Sequence, residues 1–189
     1  MTDASLTRAG ARAAFSMREA QSRFSTLREG MLRLSILDAL GLALGALLVA
    51  VIAYRALRET GQTNSYAALA DAFLHGRTSV AACFDIDCVT KNGVGYVIFP
   101  PFPAVLAMPF VAVFGVGFKG FVLLGLTLAA LSLWFWRRIA RAAGLDDRAF
   151  AWFAGAILLA SPLYYVTIRA DGVWFFAQCV AFMLMSGAL

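Results

Sequence analysis

The stretch FPPFPAVLAMPFVAVFG, residues 99–115, constrains the fold most, because its apolar core is typical of a membrane helix while its prolines are not. Between Pro103 and Gly115, about a dozen residues would form a helix of about 18 Å, against roughly 30 Å of hydrocarbon in a bilayer. Pro100 and Pro101 prevent extension toward the N-terminus, because proline lacks an N–H and restricts the residue before it. The length therefore predicts a helix that does not cross the membrane.

The distribution of arginine tests this prediction independently. The internal basic cluster WRRIARAAGLDDR, residues 136–148, follows an apolar run at 119–136. If 99–115 crossed the membrane, that run would be the third crossing and the basic cluster would lie outside. If it does not cross, the cluster is cytoplasmic, as the preference of arginine and lysine for the cytoplasmic side requires. We therefore predict a re-entrant or interfacial helix on the outer side.

Composition identifies the class of protein. The chain of 189 residues is 61% hydrophobic and 14% charged, with a mean hydropathy of +0.78, which excludes a water-soluble domain of ordinary composition. The net charge of +5 reflects membrane sidedness, because the basic residues do not interleave with exposed aromatic residues in a polar domain. We expect an all-α integral membrane protein that is surrounded by membrane lipid and binds no nucleic acid.

The predicted topology has a cytoplasmic N-terminus and four spans in the inner membrane of a bacterium. Residues 1–33 form a basic amphipathic segment, and residues 34–189 form the membrane domain. Because the chain ends inside an apolar run, we expect it to be the N-terminal part of a longer protein; a short protein that ends at the membrane face is the alternative. The spans are predicted at about 34–54, 119–136, 149–166 and 173–189, and the outer loop 55–118 carries short helices near 66–76 and 103–115.

Candidate reactive residues lie on the predicted outer side. Asp85 and Asp87 in FDID would point the same way if that piece is extended, which offers two carboxylates to one cation or to one acid–base site. An exposed acidic turn is the alternative. For Cys83 and Cys88, a disulfide, two free thiols and a thiolate metal site stay open. Asp171 lies at the mouth of a span, where an acid is costly unless it is paired or functional.

Basic residues on the same side could meet a phosphate group. Lys91 lies in the outer loop and Arg169 lies beside Asp171. Arg55 and Arg58 belong to the same set, or they only flank the first span.

Taken in order, these features resemble the N-terminal portion of the C-type glycosyltransferases, multi-span enzymes that use lipid-linked sugars. The resemblance covers roughly residues 34 to 189. Its motifs are Tyr66-x-x-x-Ala70-x-x-x-Leu74-x-Gly76, then Phe99-Pro100-Pro101 leading into Pro109-Phe110 and Phe114-Gly115, then Arg137-Arg138, and finally Ser161-Pro162 before Asp171.

The resemblance implies that a sugar is transferred from a polyprenyl-phosphate donor to an acceptor on the outer face, with outer carboxylates as base or metal ligands. A divalent cation stays open as a cofactor, and partner membrane proteins stay open as well. The implied catalytic residues are Asp85, Asp87 and Asp171, and the implied substrate-binding residues are Lys91, Arg169, Asn64 and Tyr66.

One position departs from the family pattern. Family members commonly carry a catalytic Asp just before the loop helix, where this chain reads Gly61-Gln62-Thr63-Asn64-Ser65 with no acid. The resemblance then moves the role to Asp85 or Asp87. The alternative is a non-catalytic membrane subunit that uses the same spans for assembly with partner membrane proteins.

Overall fold

A computed structural model describes residues 36–84 and 88–189 of the chain. The basic segment predicted at 1–33 and the candidate acids Asp85 and Asp87 lie outside these residues. The described part is mostly helical, as predicted, with seven α-helices. In chain order its elements are α1 (Ile36–Arg58), α2 (Ser65–Leu74), β1 (Cys88–Lys91), β2 (Val94–Val97), α3 (Phe102–Phe114), a 3₁₀ turn (Gly115–Gly117), α4 (Phe121–Ala142), α5 (Asp147–Leu159), α6 (Leu163–Ile168) and α7 (Val173–Ala188).

Two helices in the described residues are long and apolar enough to cross a membrane. One is the part of α1 from Ala39 to Arg58, with 20 residues, and the other is α4, with 22 residues. At 1.5 Å per residue they measure about 30 Å and about 33 Å, which matches the hydrocarbon thickness. By contrast, α3 has 13 residues and α7 has 16.

The chain divides into two compact units, Met1–Val49 and Ala50–Leu189. In the first unit, the described residues belong to the N-terminal half of α1. From Leu40 onward, all of its large apolar side chains except Leu48 are exposed, and the polar face that a soluble surface helix would present is missing from this stretch. These exposed side chains are Leu40, Leu42, Leu44, Leu47 and Val49.

Small side chains allow α2 and α3 to pack closely in the second unit. Ala70 on α2 and Ala104 and Ala107 on α3 are fully buried. Farther along the chain, α4 packs against α7, and the side chain of Phe176 on α7 reaches the rings of both Tyr66 and Phe121. The core of this unit therefore joins the short helices α2 and α3 to α4 and α7.

The segment 149–166, predicted as one span, is divided into two helices. Helix α5 ends at Leu159, and α6 begins after Pro162, which cannot donate the backbone hydrogen bond that a continuous helix needs. The Ser161 hydroxyl donates to the Ile157 carbonyl and accepts from the Leu163 N–H, which stabilises the break. Ser161-Pro162 was noted as a motif of the resemblance, and the helix that follows the proline was not predicted.

The segment between α2 and α3 contains an antiparallel hairpin of β1 and β2, where the sequence predicts a loop with one extended piece. Lys91 pairs with Val94 across a two-residue turn of Asn92 and Gly93. Both turn residues have positive φ, 53° and 76°, as a tight hairpin turn of this kind requires. The Lys91-Asn92-Gly93 turn chemistry is thus used to reverse the chain within a small sheet.

Candidate functional site

Asp171 lies in the turn between α6 and α7, and Arg55 from the last turn of α1 holds its carboxylate. Arg55 Nη2 donates to Asp171 Oδ2 at 2.7 Å, and Arg55 Nε donates to the Ile168 carbonyl at 3.0 Å. The side chains of the pair are only 29% and 24% exposed. One guanidinium therefore ties the end of α1 to the α6–α7 turn and fixes the orientation of the carboxylate.

The second oxygen of Asp171 has different surroundings. Oδ1 is buried and accepts no hydrogen bond from the described residues. Arg169 Nε lies 4.0 Å from it, and the guanidinium of Arg169 stacks over the Phe175 ring at 5.4 Å. Two guanidinium groups thus flank one carboxylate, and one carboxylate oxygen is left that can accept a hydrogen bond.

Glu59, one residue beyond α1, is a buried acid whose role was not predicted. Its carboxylate oxygens accept hydrogen bonds from the backbone N–H groups of Phe121, at 2.8 Å, and Val122, at 3.1 Å. The side chain therefore caps the N-terminus of α4, where unpaired amides and the helix dipole favour negative charge. The sequence shows an acid after α1 but gives no sign of the cap, because the partners are more than 60 positions away.

Burial raises the pKa of Glu59 above its ordinary value of 4.5, and the nearby charge of Asp171 acts in the same direction. The hydrogen bonds from Val122 and Phe121 and the charge of Arg55 lower the pKa and offset part of this rise. Glu59 therefore belongs electrostatically to the same group of charges as Arg55 and Asp171.

Asn64 and Tyr66, for which the resemblance implies substrate contacts, are buried at the start of α2. Asn64 Oδ1 accepts from the Tyr66 N–H at 2.9 Å, which caps the helix, and Asn64 Nδ2 donates to the Ala170 carbonyl at 3.2 Å. The Tyr66 ring packs edge to face on Phe176. The structure gives both residues a role in packing, and their contact with a substrate stays a prediction.

The structure joins Cys83 and Cys88 by a disulfide, with their Cα atoms 6.1 Å apart. The loop that it closes is attached to the first residue of α2. The Ser65 hydroxyl accepts from the Phe84 N–H at 3.4 Å and lies 3.8 Å from Cys88 Sγ. Phe84 and Cys88, which flank the acids of FDID in the sequence, therefore lie beside Ser65 at the start of α2.

Lys91 lies at the end of β1 and is exposed, and it forms no ion pair with any described residue. The charges that the structure brings together around Asp171 are Arg55 and Arg169 instead. Arg55 was one of four basic candidates, and its separation from Asp171 by 116 positions concealed the pairing.

Within the described residues, no group of three or more His, Cys, Asp and Glu side chains could hold a metal ion. The cation site considered for Asp85 and Asp87 falls outside those residues. The metal and cofactor therefore stay unassigned.

The described structure defines a mostly helical protein with two helices long and apolar enough to cross a membrane. A scan of family models finds no match, and neither do searches of curated proteins and of solved structures. The resemblance to C-type glycosyltransferases consequently stays a prediction from the sequence.

Proposed function

We propose that the chain is a membrane glycosyltransferase-like protein, which transfers a sugar from a polyprenyl-phosphate donor to an acceptor on the outer face of a bacterial inner membrane. One observation supports this function beyond the sequence resemblance. The start of α2 contacts both segments that carry candidate acids, since Ser65 binds the ends of the disulfide loop and Asn64 binds Ala170 beside Asp171. A site that uses carboxylates from both segments would need such an attachment.

In the proposed reaction, a carboxylate removes the proton from an acceptor hydroxyl, and the hydroxyl oxygen bonds to the anomeric carbon of the sugar. The bond between that carbon and the donor phosphate breaks, and polyprenyl phosphate leaves with the electron pair. Asp85 or Asp87 is the proposed base, and Asp171 supplies the second carboxylate of the proposed site. Arg169, with Lys91 as the other candidate, would stabilise the negative charge of the leaving phosphate.

The proposed topology has four crossings, two more than the candidate spans that length and composition define. In it, α1 and α4 are the first and second crossings. Helices α5 and α6 together form the third crossing, interrupted at Pro162, and α7 forms the fourth. The turn 169–172 then lies on the same side as the disulfide loop, which the proposed site requires.

The test is made on the purified full chain, reconstituted in lipid vesicles with a polyprenyl-phosphate hexose whose sugar is radiolabelled. The rate at which the labelled sugar leaves the lipid is measured with bacterial membrane extract as the acceptor source. We expect a fall of about 100-fold or more in the Asp85→Asn, Asp87→Asn double variant, because a positioned base typically contributes a factor of 10² to 10⁴.

Asp147→Asn is the matched control, because Asp147 is an exposed acid at the start of α5 that pairs with Arg137 and Arg141. Its sugar release should equal that of the wild type. Equal release by the wild type and the Asp85→Asn, Asp87→Asn variant would refute the assignment of the base.

The second candidate function is a non-catalytic membrane subunit. It is favoured by the segment 61–65, where the family carries a catalytic acid, because the residues of this chain have packing and capping roles there. A side chain at Gly61 would collide with the Gly117 carbonyl, and Asn64 caps α2 and binds Ala170. Affinity purification from the native membrane separates the two functions, because only a subunit should emerge in a stable, stoichiometric complex with other membrane proteins and release no sugar.

A further inference from the structure

An open groove lies between the end of α3 and the start of α4. It has a volume of about 420 Å³. We call it the Lys119 groove, because Lys119 is the one charged side chain in its lining. The lining residues are Phe114, Gly117, Phe118, Lys119, Gly120 and Leu123.

The walls of the Lys119 groove are apolar and accessible. Phe114 is 65% exposed and Leu123 is 54% exposed. The Phe118 ring stacks on the rings of Phe110 and Phe114, with centroids 5.5 and 6.0 Å apart, and meets Phe121 edge to face at 5.2 Å. These contacts hold Phe118 in place as one wall, so the groove is not formed by a freely rotating side chain.

The backbone beneath the groove is fixed by two contacts from the segment after α1. Gly61 packs so closely on Gly117 that a Cβ at Gly61 would reach the Gly117 carbonyl. Two residues earlier, Glu59 binds the first amides of α4 at Phe121 and Val122. Since these amides are already occupied, the attraction of the groove for an anion comes from the Lys119 ammonium rather than from the helix terminus.

Lys119 is exposed and forms neither an ion pair nor a hydrogen bond within the described part of the chain. It stands two residues before α4, one of the two candidate spans, and therefore at the expected boundary of water and hydrocarbon. A lysine at this level extends its apolar stem along the protein and presents its charge to the headgroup layer. The groove thus combines one unpaired cation with an apolar surface that continues along the span.

We propose that the Lys119 groove binds an anionic phospholipid of the surrounding bilayer. The phosphate of the lipid pairs with the Lys119 ammonium, and one acyl chain lies over Phe114, Phe118 and Leu123. An anionic amphiphile is the ligand that matches both parts of the groove, since the other lining side chains offer no hydrogen-bonding group. The proposal does not depend on sugar transfer and holds whether or not the chain is an enzyme.

The test uses the full chain in nanodiscs of phosphatidylcholine that contain a trace of a photoactivatable lipid. The probe is either phosphatidylglycerol or phosphatidylcholine, each with the same diazirine in its acyl chain, and labelled residues are located by mass spectrometry. We expect the anionic probe to label the groove residues about five-fold more than the zwitterionic probe, because one lysine near a charged headgroup contributes about this factor.

Three variants sharpen the result. Lys119→Gln should lower labelling by the anionic probe to the level of the zwitterionic one, and Lys119→Arg should retain most of it because the charge stays. Arg77→Gln, which removes an exposed cation that pairs with Asp71 and does not line the groove, is the matched control and should label as the wild type. Thermal melts confirm that each variant is folded.

Equal labelling of the wild type by the two probes would overturn the proposal, as would unchanged labelling in Lys119→Gln. Cross-linking of the groove to a second protein chain in place of lipid would also overturn it, because the groove would then be a protein interface.

Discussion

At the residue scale, the end of α1 carries two charged side chains with different tasks. Glu59 binds the N-terminus of α4, and Arg55 binds the carboxylate of Asp171 in the α6–α7 turn. The two residues lie four positions apart and reach different elements of the same unit. Substitutions at these positions should therefore affect stability in different ways.

Glu59→Gln should change the pH dependence of stability. The pKa of Glu59 is raised in the folded protein, so the folded state binds a proton more readily than the unfolded state. This contribution to stability is fully present below the unfolded pKa of about 4.5 and is lost as pH rises through the folded pKa. As pH rises from the unfolded pKa to the folded pKa, the melting temperature of the wild type should decrease relative to that of Glu59→Gln. Melting curves in detergent from pH 4 to 8 measure it, and a difference that is constant with pH would contradict it.

Arg55→Met should destabilise the protein by about 1–3 kcal/mol, because Asp171 would keep a largely buried charge without its partner. Asp171→Asn in the same background should recover part of the loss, and the double-mutant cycle gives the coupling energy. Arg58→Met is the matched control, since Arg58 stacks on the Tyr54 ring and forms no ion pair with a described residue. Equal losses in Arg55→Met and Arg58→Met would show that the ion pair is unimportant.

At the element scale, Asn64 and Ser65 at the start of α2 contact the α6–α7 turn and the disulfide loop, respectively. Asn64→Ser retains an oxygen that can cap the helix but loses the hydrogen bond to Ala170, whereas Asn64→Ala loses both. We expect Asn64→Ala to cost about 1–3 kcal/mol and Asn64→Ser to cost less, because the cap alone contributes about 1 kcal/mol. Chemical denaturation in detergent compares the variants. A greater loss in Asn64→Ser than in Asn64→Ala would contradict the assignment.

Helices could be located from the sequence where apolar periodicity extends over a long segment. Elements whose ends depend on local turn residues were located less well. The helix predicted near 103–115 is found at Phe102–Phe114, because the prolines mark its start. The hairpin was predicted only as a loop with one extended piece, because two strands of four residues each show too little of a strand pattern. Helix α6, which begins after Pro162, was missed because the apolar run 149–166 continues through the break.

The candidate site was predicted only in part, because its contacts are long-range. The cost of an acid at a span mouth pointed to Asp171, but neither its pairing with Arg55 nor the cap by Glu59 leaves a local pattern. These contacts depend on how α1, α4 and the α6–α7 turn pack against one another. The periodicity of a single sequence predicts the helices but not this packing.

At the scale of the whole molecule, the proposed site requires that the loops that carry its residues lie on the same side of the membrane. Helix α3 has 13 residues, about 20 Å, and is too short for a crossing, whereas α4 has 22 residues and ends near the arginine cluster. If α3 stays on the outer side, the 3₁₀ turn at Gly115–Gly117 is outside and the α4–α5 turn at Gly144 is cytoplasmic. Those positions follow from the helix lengths and from the arginine bias together.

Reporter fusions should give one pattern along the chain. We expect a reporter that is active only outside the cytoplasm to be active after Gly76 and Gly117, inactive after Gly144 and active again after Gly172. A reporter that fluoresces only in the cytoplasm should give the inverse pattern at the same four positions. If α3 crossed the membrane, Gly117 and Gly144 would exchange sides while Gly76 stayed outside. A cytoplasmic signal after Gly117 would therefore contradict the topology, and it would also separate the disulfide loop from Asp171, because an additional crossing would place them on opposite faces of the membrane.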